Sequence, residues 1–180
     1  MKFVSMSELL PDARRKGYAI PSFCVWSADS LLSVLETAED LRAPVMVMTG
    51  APELAPLPPE LFAPIARTVA KRFKIPASLL LDHGDSPELA MRAIRAGYTS
   101  IMLDYSARGF EENAGALRDI VSFAHPKGVA VEGEIGHVGK ADAETAEGAG
   151  DSTLTRPEEA ARFERITGVD VLAVSIGNAH

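Results

Sequence analysis

The sequence predicts an α/β fold built on a parallel sheet. Apolar, β-branched runs alternate with amphipathic stretches along the whole chain of 180 residues, and this alternation is typical of strand–helix–strand units. Six candidate strands separated by five helices favour a parallel sheet, because parallel strands are joined by crossover connections. The length suits a single domain, which we expect to span residues 1–180.

The candidate strands are short apolar runs bounded by turn-forming residues. They are predicted at residues 18–23, 44–48, 77–81, 100–103, 129–132 and 171–176. The fifth run continues to Glu134, so that Glu132 and Glu134 are expected on the same side of their strand. Two carboxylates on one strand face are hard to bury, and either a barrel mouth or an exposed edge must receive them.

The candidate helices carry apolar residues every three or four positions, the spacing that gives one buried stripe. The predicted stripes are Leu31–Leu35–Ala38, Phe62–Ile65–Val69–Phe73 and Ala114–Leu117–Val121–Ala124. Residues 51–59, between the first two stripes, hold four of the 12 prolines and are predicted to form a loop.

Capping signals mark where several helices begin and end. Residues 86–88 (Ser-Pro-Glu) combine an N-cap, a first-turn proline and an acidic first turn, and Gly97 is a good residue for the end of that helix. Residues 155–158 (Thr-Arg-Pro-Glu) predict a capping box at the start of the last helix. His125, before a proline, is expected to end another helix and to interact with its dipole.

Composition and charge exclude several classes of function. With 18 basic and 25 acidic residues the net charge is −7, so the long-range field repels nucleic acid and anionic membranes. The N-terminus lacks the apolar core of a signal peptide, and no apolar run approaches the roughly 20 residues of a membrane span. Cys24, the single cysteine, cannot form an internal disulfide, and we expect a small buried side chain there. These features favour a cytoplasmic protein.

Two architectures fit the alternation of strands and helices. One is an open, doubly wound sheet and the other is a (β/α) barrel. A complete eight-fold barrel normally takes about 250 residues, so six strands would form about three quarters of one. Periodicity alone does not separate the two.

Acids and imidazoles follow four consecutive strands at the point where each strand ends. Asp82 and His83 follow the third strand, Asp104 the fourth, Glu134 the fifth and His180 the sixth. In a parallel α/β fold these strand ends share one face, where sites are built. Nitrogen and oxygen ligands of this kind suit zinc or another first-row divalent ion. Each residue alone could be a cap or turn former, but that interpretation needs several coincidences on one face.

Several segments also keep the order and spacing of a known family. The longest are Leu-Asp-His-Gly at 81–84, Gly-Tyr-Thr-Ser-Ile-Met-Leu-Asp at 97–104, Val-Glu-Gly-Glu-Ile-Gly at 131–136 and Ala-Val-Ser-Ile-Gly-Asn-Ala-His at 173–180. Shorter ones lie at 17–21, 111–113 and 167–170. Through these segments the chain resembles the zinc-dependent class II fructose/tagatose-bisphosphate aldolase family over essentially its whole length.

The resemblance implies a TIM (β/α)8-type barrel, of which this chain would supply about the first six strands, and a retro-aldol reaction. It implies Zn²⁺ as cofactor, with a second metal or a monovalent cation as a further expectation. The substrate would be fructose or tagatose 1,6-bisphosphate, cleaved to dihydroxyacetone phosphate and glyceraldehyde 3-phosphate. Dimers or tetramers of the chain are also implied.

The resemblance also assigns roles to individual residues. Asp82 would be the acid/base at the hydroxyl of the bond that breaks, and Asp142 the acid that exchanges a proton with the ketone half. Four residues would lie at the metal, the first two as zinc ligands: His83, His180, Glu134 and Asp104.

Departures from the family pattern keep other functions open. The family has asparagine where this chain has Cys24 and glycine where it has Tyr105, and the loop pattern differs at Lys140 and Ala143. These substitutions leave a non-catalytic paralogue that binds a sugar phosphate or serves as a partner subunit as one alternative. A metal-dependent barrel lyase acting on another phosphorylated or carboxylated ketose is the second.

An incomplete barrel also has a structural consequence. Six parallel strands taken from a barrel leave two open edges and an uncovered face. We therefore expect these residues to belong to a longer chain of about 250 or more residues, and to associate if they stand alone.

Overall fold

The computed structural model describes residues 2–136 and 154–177. In this part of the chain six strands form one parallel sheet: β1 (Ser22–Cys24), β2 (Val45–Thr49), β3 (Ala77–Gly84), β4 (Ser100–Leu103), β5 (Ala130–Ile135) and β6 (Val171–Val174). The α-helices found there are α1 (Met6–Lys16), α2 (Ala28–Leu41), α3 (Ala51–Leu54), α4 (Pro59–Ala70), α5 (Pro87–Ala96), α6 (Phe110–Ala124) and α7 (Pro157–Thr167). Within these two ranges no helix has the length and apolar character needed to cross a bilayer.

The sheet curls into an incomplete TIM (β/α)8-type barrel, which confirms the predicted fold class. Each strand pairs in parallel with the next one along the chain, from β1 with β2 to β5 with β6. In the described part of the chain β1 and β6 are therefore the two edges. A cavity of about 940 Å³ lies between α1, residues 18–20 and the start of β6.

The two faces of the sheet have different cores. The face that meets the helices carries the larger apolar cluster, in which strand residues such as Leu79, Ile101 and Val131 are fully buried. The inner face has a smaller cluster around Met6, Leu80 and Ala130. Helix α1 therefore covers part of the inner face, and hydrogen bonding reinforces its position because the Met6 N–H donates to the Ser100 hydroxyl (2.9 Å).

Several predicted helix ends and one strand are confirmed. Helix α5 begins at Pro87, with the Ser86 hydroxyl accepting the Leu89 N–H (3.3 Å), and it ends at Gly97 in the left-handed region. Strand β4 has the predicted bounds, and the predicted stripe of α6 is buried. These elements are local in origin, since their capping residues and periodicity suffice to specify them.

The amino-terminal half differs from prediction at three points. Strand β1 covers Ser22–Cys24 instead of 18–23, because only these residues pair with β2. The segment 51–59, predicted as a loop, contains α3, whose first turn accommodates proline; the Gly50 N–H donates to the Glu53 carboxylate (2.8 Å). In α4, Ile65 is exposed while small alanines are buried, so the buried face is rotated from the predicted stripe.

The predicted capping box at residues 155–158 is wrong. The N-cap of α7 is Arg156, and no side chain caps the helix there. The Thr155 hydroxyl instead donates to the Ile135 carbonyl (2.7 Å) and accepts the Ser175 N–H (2.9 Å). Thr155 thus joins the ends of β5 and β6, which is a tertiary role that its local sequence does not reveal.

Candidate functional site

The acids and the imidazole predicted at the strand ends lie together at one rim of the barrel. Asp82 and His83 lie at the end of β3, Asp104 follows β4, and Glu132 and Glu134 lie in β5. The pairing registers of β3, β4 and β5 bring these positions side by side. The prediction that Glu132 and Glu134 share one side of β5 agrees with the pKa of Glu132, which the charges of Asp82, His83 and Glu134 all influence.

A bulge in β3 lets two consecutive residues serve the same site. Successive side chains of a strand normally point to opposite faces. Between the pairs Leu81–Ile101 and Gly84–Leu103, however, β3 advances three residues while β4 advances two. The extra residue coincides with His83, whose φ of 43° lies in the left-handed region. Such a bulge re-aims a side chain, and both Asp82 and His83 can therefore face the rim.

Gly84 makes this bulge possible. A Cβ atom at this position would lie 2.7 Å from the Met102 carbonyl oxygen and 2.9 Å from a methyl group of Leu81. Real Cβ contacts with a backbone oxygen are not that short, so β3 approaches β4 more closely here than any side chain permits. The glycine of the Leu-Asp-His-Gly segment is thus required by packing.

His83 and Asp104 form a hydrogen-bonded pair across β3 and β4. The distance from His83 Nδ1 to Asp104 Oδ2 is 2.9 Å, and the carboxylate can only accept, so Nδ1 donates. This bond is the main reason why the pKa of His83 is raised and why the pKa of Asp104 is held far below its usual range. The other oxygen of Asp104 accepts the Ser106 N–H (3.0 Å) and the Ser106 hydroxyl (2.7 Å).

Three of these side chains are arranged as a candidate metal site. Potential ligand atoms of His83, Asp104 and Glu134 all lie within 4.8 Å of one another. Two ligands bound to one zinc ion at about 2.1 Å are separated by about 3.4 Å in a tetrahedral site, so small side-chain rotations bring this set into range. One imidazole and two carboxylates are a donor set that zinc accepts. The residues present therefore fit a divalent metal.

Asp82 and Glu132 complete the acidic character of the rim. The negative charge of Asp82 contributes to raising the pKa values of His83 and Glu132. Glu132 faces the inner side of the sheet, and burial raises its pKa to about 7, with Asp82 adding to the shift and His83 opposing it. Protonation of Glu132 near neutral pH lowers the cost of holding so many carboxylates in one place.

Some predicted residues fall elsewhere or cannot be placed. His180 and Asp142, as well as Lys140 and Ala143, lie outside the described residues. Cys24 is exposed at the end of β1, so the expectation of a buried side chain is wrong. Met48 of β2 pairs with Cys24 and covers it on one side only, because β1 is an edge strand of the described sheet.

Two contacts of the rim were not predicted from the sequence, although Asn113 lies in the family segment 111–113. Ser106 follows Asp104 by two positions, which is the spacing of an Asx turn, and this signal could have identified it. Asn113 of α6 is 2% exposed, and its Nδ2 donates to the backbone carbonyl of Glu134 (2.7 Å). No local signal points to this contact, because it joins a helix to a strand 21 residues away.

Comparison with known proteins gives consistent matches. The model of the class II fructose-bisphosphate aldolase family matches residues 4–180. The YdjI aldolase from Escherichia coli K12 is 35% identical, with a TM-score of 0.87 over 99% of this chain and 64% of that one. A protein from Coccidioides immitis is 31% identical, with a TM-score of 0.85 over 97% and 61%. Fructose-bisphosphate aldolase from Campylobacter jejuni is 25% identical, with a TM-score of 0.80 over 99% and 59%.

These matches agree with the strand order, the curl of the sheet and the acids and imidazole at its rim. The chain spans 59% to 64% of the length of the three structures. The family model covers nearly every residue, including the ends of β3, β4 and β5. The chain therefore belongs to the class II fructose-bisphosphate aldolase family.

Proposed function

We propose that the protein is a metal-dependent lyase that cleaves a phosphorylated ketose by a retro-aldol reaction. Fructose or tagatose 1,6-bisphosphate would give dihydroxyacetone phosphate and glyceraldehyde 3-phosphate. The observation that carries the proposal is the grouping of His83, Asp104 and Glu134 within 4.8 Å in a chain of this family. The names of two of the matched structures, both aldolases, support the same reaction class.

We assign the metal to this rim and propose zinc. His83 and Glu134 would hold it with Asp104, while His180, the other proposed ligand, lies outside the described residues. Asp104 already uses Oδ2 for His83 and Oδ1 for Ser106. It therefore suits the role of a carboxylate that orients a ligating histidine as well as that of a direct ligand. A bound zinc ion supplies Lewis-acid polarisation of the ketone.

The protein's own side chains would move the protons. Asp82 would accept the proton of the hydroxyl next to the bond that breaks, as that hydroxyl becomes the aldehyde. The electron pair of the broken carbon–carbon bond stays with the ketone half as an enediolate. That carbon then takes a proton, which we assign to Asp142 on the family resemblance. Asp82 lies beside His83 on the bulge of β3, and this placement supports its role at the reacting end of the substrate.

We also infer the setting in which the enzyme works. The net charge of −7 and the single cysteine favour a cytoplasmic protein. Dimers or tetramers are proposed from the family. The partner that we propose from the family is a phosphorylated ketose.

Cleavage assays with and without a chelator test the proposal. We expect turnover of one of the two bisphosphates, loss of turnover on chelation and recovery with zinc. Asp82→Ala should lower kcat about 10²- to 10⁴-fold, the usual contribution of a general acid or base. Asp85→Asn, which alters an exposed acid three residues away, is the matched control and should remain active. Turnover that survives chelation or Asp82→Ala contradicts the proposal, and zinc binding without turnover favours the non-catalytic paralogue.

A further inference from the structure

Asn113 is a polar residue on the buried, otherwise apolar face of α6. The other buried residues of this helix are Ala114, Leu117, Ile120, Val121 and Ala124. The Oδ1 atom of Asn113 is buried and has no hydrogen-bond partner among the described residues. Such an atom opposes folding, because water satisfies it in the unfolded chain. Packing alone therefore does not account for an asparagine at this position.

The side chain of Asn113 holds the backbone of Glu134. Its Nδ2 donates to the Glu134 carbonyl oxygen at 2.7 Å. The last pair between β4 and β5 joins Leu103 to Gly133, so this hydrogen bond follows directly after the pairing with β4 ends. Asn113 thus links α6 to β5 at the residue whose carboxylate belongs to the candidate metal site.

Helix α6 also packs closely on β5 beside this hydrogen bond. Leu117 follows Asn113 by four residues and therefore lies on the same face of the helix. A Cβ atom at Gly133 would lie 3.3 Å from the Leu117 side chain and 3.2 Å from the ring of Phe163 in α7. The glycine lets both helices approach the strand. Two successive residues of β5, Gly133 and Glu134, are therefore held against the helices.

The position of β5 decides where the carboxylate of Glu134 lies. His83 and Asp104 are joined to each other by their hydrogen bond of 2.9 Å, whereas Glu134 comes from the next strand. Potential ligand atoms of the three residues lie within 4.8 Å of one another, and zinc binds its ligands at about 2.1 Å. A shift at the end of β5 would therefore move one ligand relative to the other two.

We propose that Asn113 is a positioning residue for the metal site. It holds the backbone of Glu134 so that the carboxylate meets the same ion as His83 and Asp104. The inference rests on the proposed metal site but not on the lyase activity. Residues that orient metal ligands through hydrogen bonds contribute about 10- to 100-fold in metal affinity. Because Asn113 acts on the backbone of the ligand, we expect the lower end of that range.

Zinc titration of the full chain in competition with a chromogenic chelator tests the proposal. Asn113→Leu removes the donor and keeps the branched shape of the side chain. Asn113→Ala removes the same donor with a smaller side chain, so that the result does not depend on how well leucine fits. Both should raise the Kd for zinc about tenfold. Circular dichroism and urea unfolding without metal establish that the variants are folded.

Thr167→Val is the matched control for a lost buried hydrogen bond. The Thr167 side chain is also buried, and its hydroxyl donates to the Phe163 carbonyl at 2.7 Å. It lies at the end of α7, before β6 begins, and so at the opposite end of the sheet from the rim. Thr167→Val should lower the midpoint of urea unfolding and leave the Kd for zinc within about twofold. A merely structural role of Asn113 would likewise leave the Kd unchanged.

A double-substitution cycle shows whether Asn113 acts through Glu134. Glu134→Gln alone should weaken zinc binding, because it replaces a carboxylate by a neutral amide. Adding Asn113→Leu to Glu134→Gln should then raise the Kd by less than about threefold, because the effects of two groups that act together are not additive. The poorer ligand leaves little affinity for positioning to improve.

The possible outcomes separate this inference from the proposed function. An unchanged Kd in both Asn113 variants would overturn it, and so would an equal loss in Thr167→Val. A full tenfold loss in the Glu134→Gln background would also overturn it, because Asn113 would then act independently of Glu134. If the unaltered protein binds no zinc, the proposed metal site fails and this inference with it. Zinc binding without turnover contradicts the lyase activity alone, since the Kd values are measured without substrate.

Discussion

The substitution Asp104→Asn removes the negative charge of this side chain and keeps nearly the same shape. In the structure one oxygen accepts two hydrogen bonds from Ser106, and the other accepts the N–H of His83 Nδ1 at 2.9 Å. An asparagine has one carbonyl oxygen, and turning it toward Ser106 preserves two of the three bonds. Its NH₂ group then faces His83 Nδ1, which must accept and carry its proton on Nε2 instead. The nitrogen that would face a metal is thereby protonated.

The size of the effect follows from that exchange of tautomers. Removal of a partner that orients a metal-ligating histidine typically lowers metal affinity 10- to 100-fold, which corresponds to about 1.4–2.7 kcal/mol. We expect Asp104→Asn to weaken zinc binding by this amount. The fold should be retained, because the two bonds from Ser106 survive. Competition with a chromogenic chelator gives the dissociation constant, and circular dichroism confirms that the variant is folded.

A second histidine–aspartate pair in the same chain provides the control. His125 Nε2 and Asp170 Oδ2 are also 2.9 Å apart, but Asp170 immediately precedes β6, at the opposite end of the sheet. Asp170→Asn should therefore leave zinc affinity within about twofold. The reasoning is refuted if Asp104→Asn binds zinc as tightly as the unaltered protein, or if both variants lose affinity equally.

Three further substitutions probe the frame that supports the site. Gly84→Ala should lower the free energy of unfolding by about 1–3 kcal/mol in urea titrations, because its Cβ would meet a carbonyl of β4 at 2.7 Å. Gly115→Ala is the control, and it should not lower the free energy of unfolding, because the space around Gly115 is open. The Glu39 carboxylate accepts two backbone N–H groups beyond α4, and these lower its pKa. A depressed pKa stabilises the fold above the unfolded pKa. The loss of stability in Glu39→Gln should therefore be full at neutral pH and vanish as pH falls below about 4. Thr155→Val should cost about 1–2 kcal/mol by removing two hydrogen bonds, while Thr155→Ser retains them.

Local signals explain which parts of the fold are predictable. The residues that cap α5, Ser86 and Gly97, act on their own helix, and the sequence alone identifies them. Helix α1 has an equally local signal in its sequence, since the Glu8 carboxylate accepts the Ser5 N–H in the spacing of a capping box. The predicted bounds of the first strand were wrong for a different reason, because they depend on pairing with β2.

The candidate site was predictable in its residue types more than in its geometry. Alternation along strands and the shared rim of parallel strands suffice to bring Asp82, Asp104 and Glu134 to one face. The placement of His83 required the bulge opposite β4, which no single-strand pattern encodes. The exposure of Cys24 likewise depends on the absence of a second neighbour for β1 in the described sheet.

The bulge of β3 and the uncapped start of α7 have a common physical basis. A strand that keeps its regular alternation can offer one side chain per two residues to the rim, so a site that needs adjacent acid and imidazole must depart from regular pairing. The departure is held by Gly84 on one side and by the bond from His83 to Asp104 on the other. In the same way, Thr155 leaves α7 uncapped because it ties β5 to β6. Around this rim, groups that would complete local structure are used for tertiary contacts.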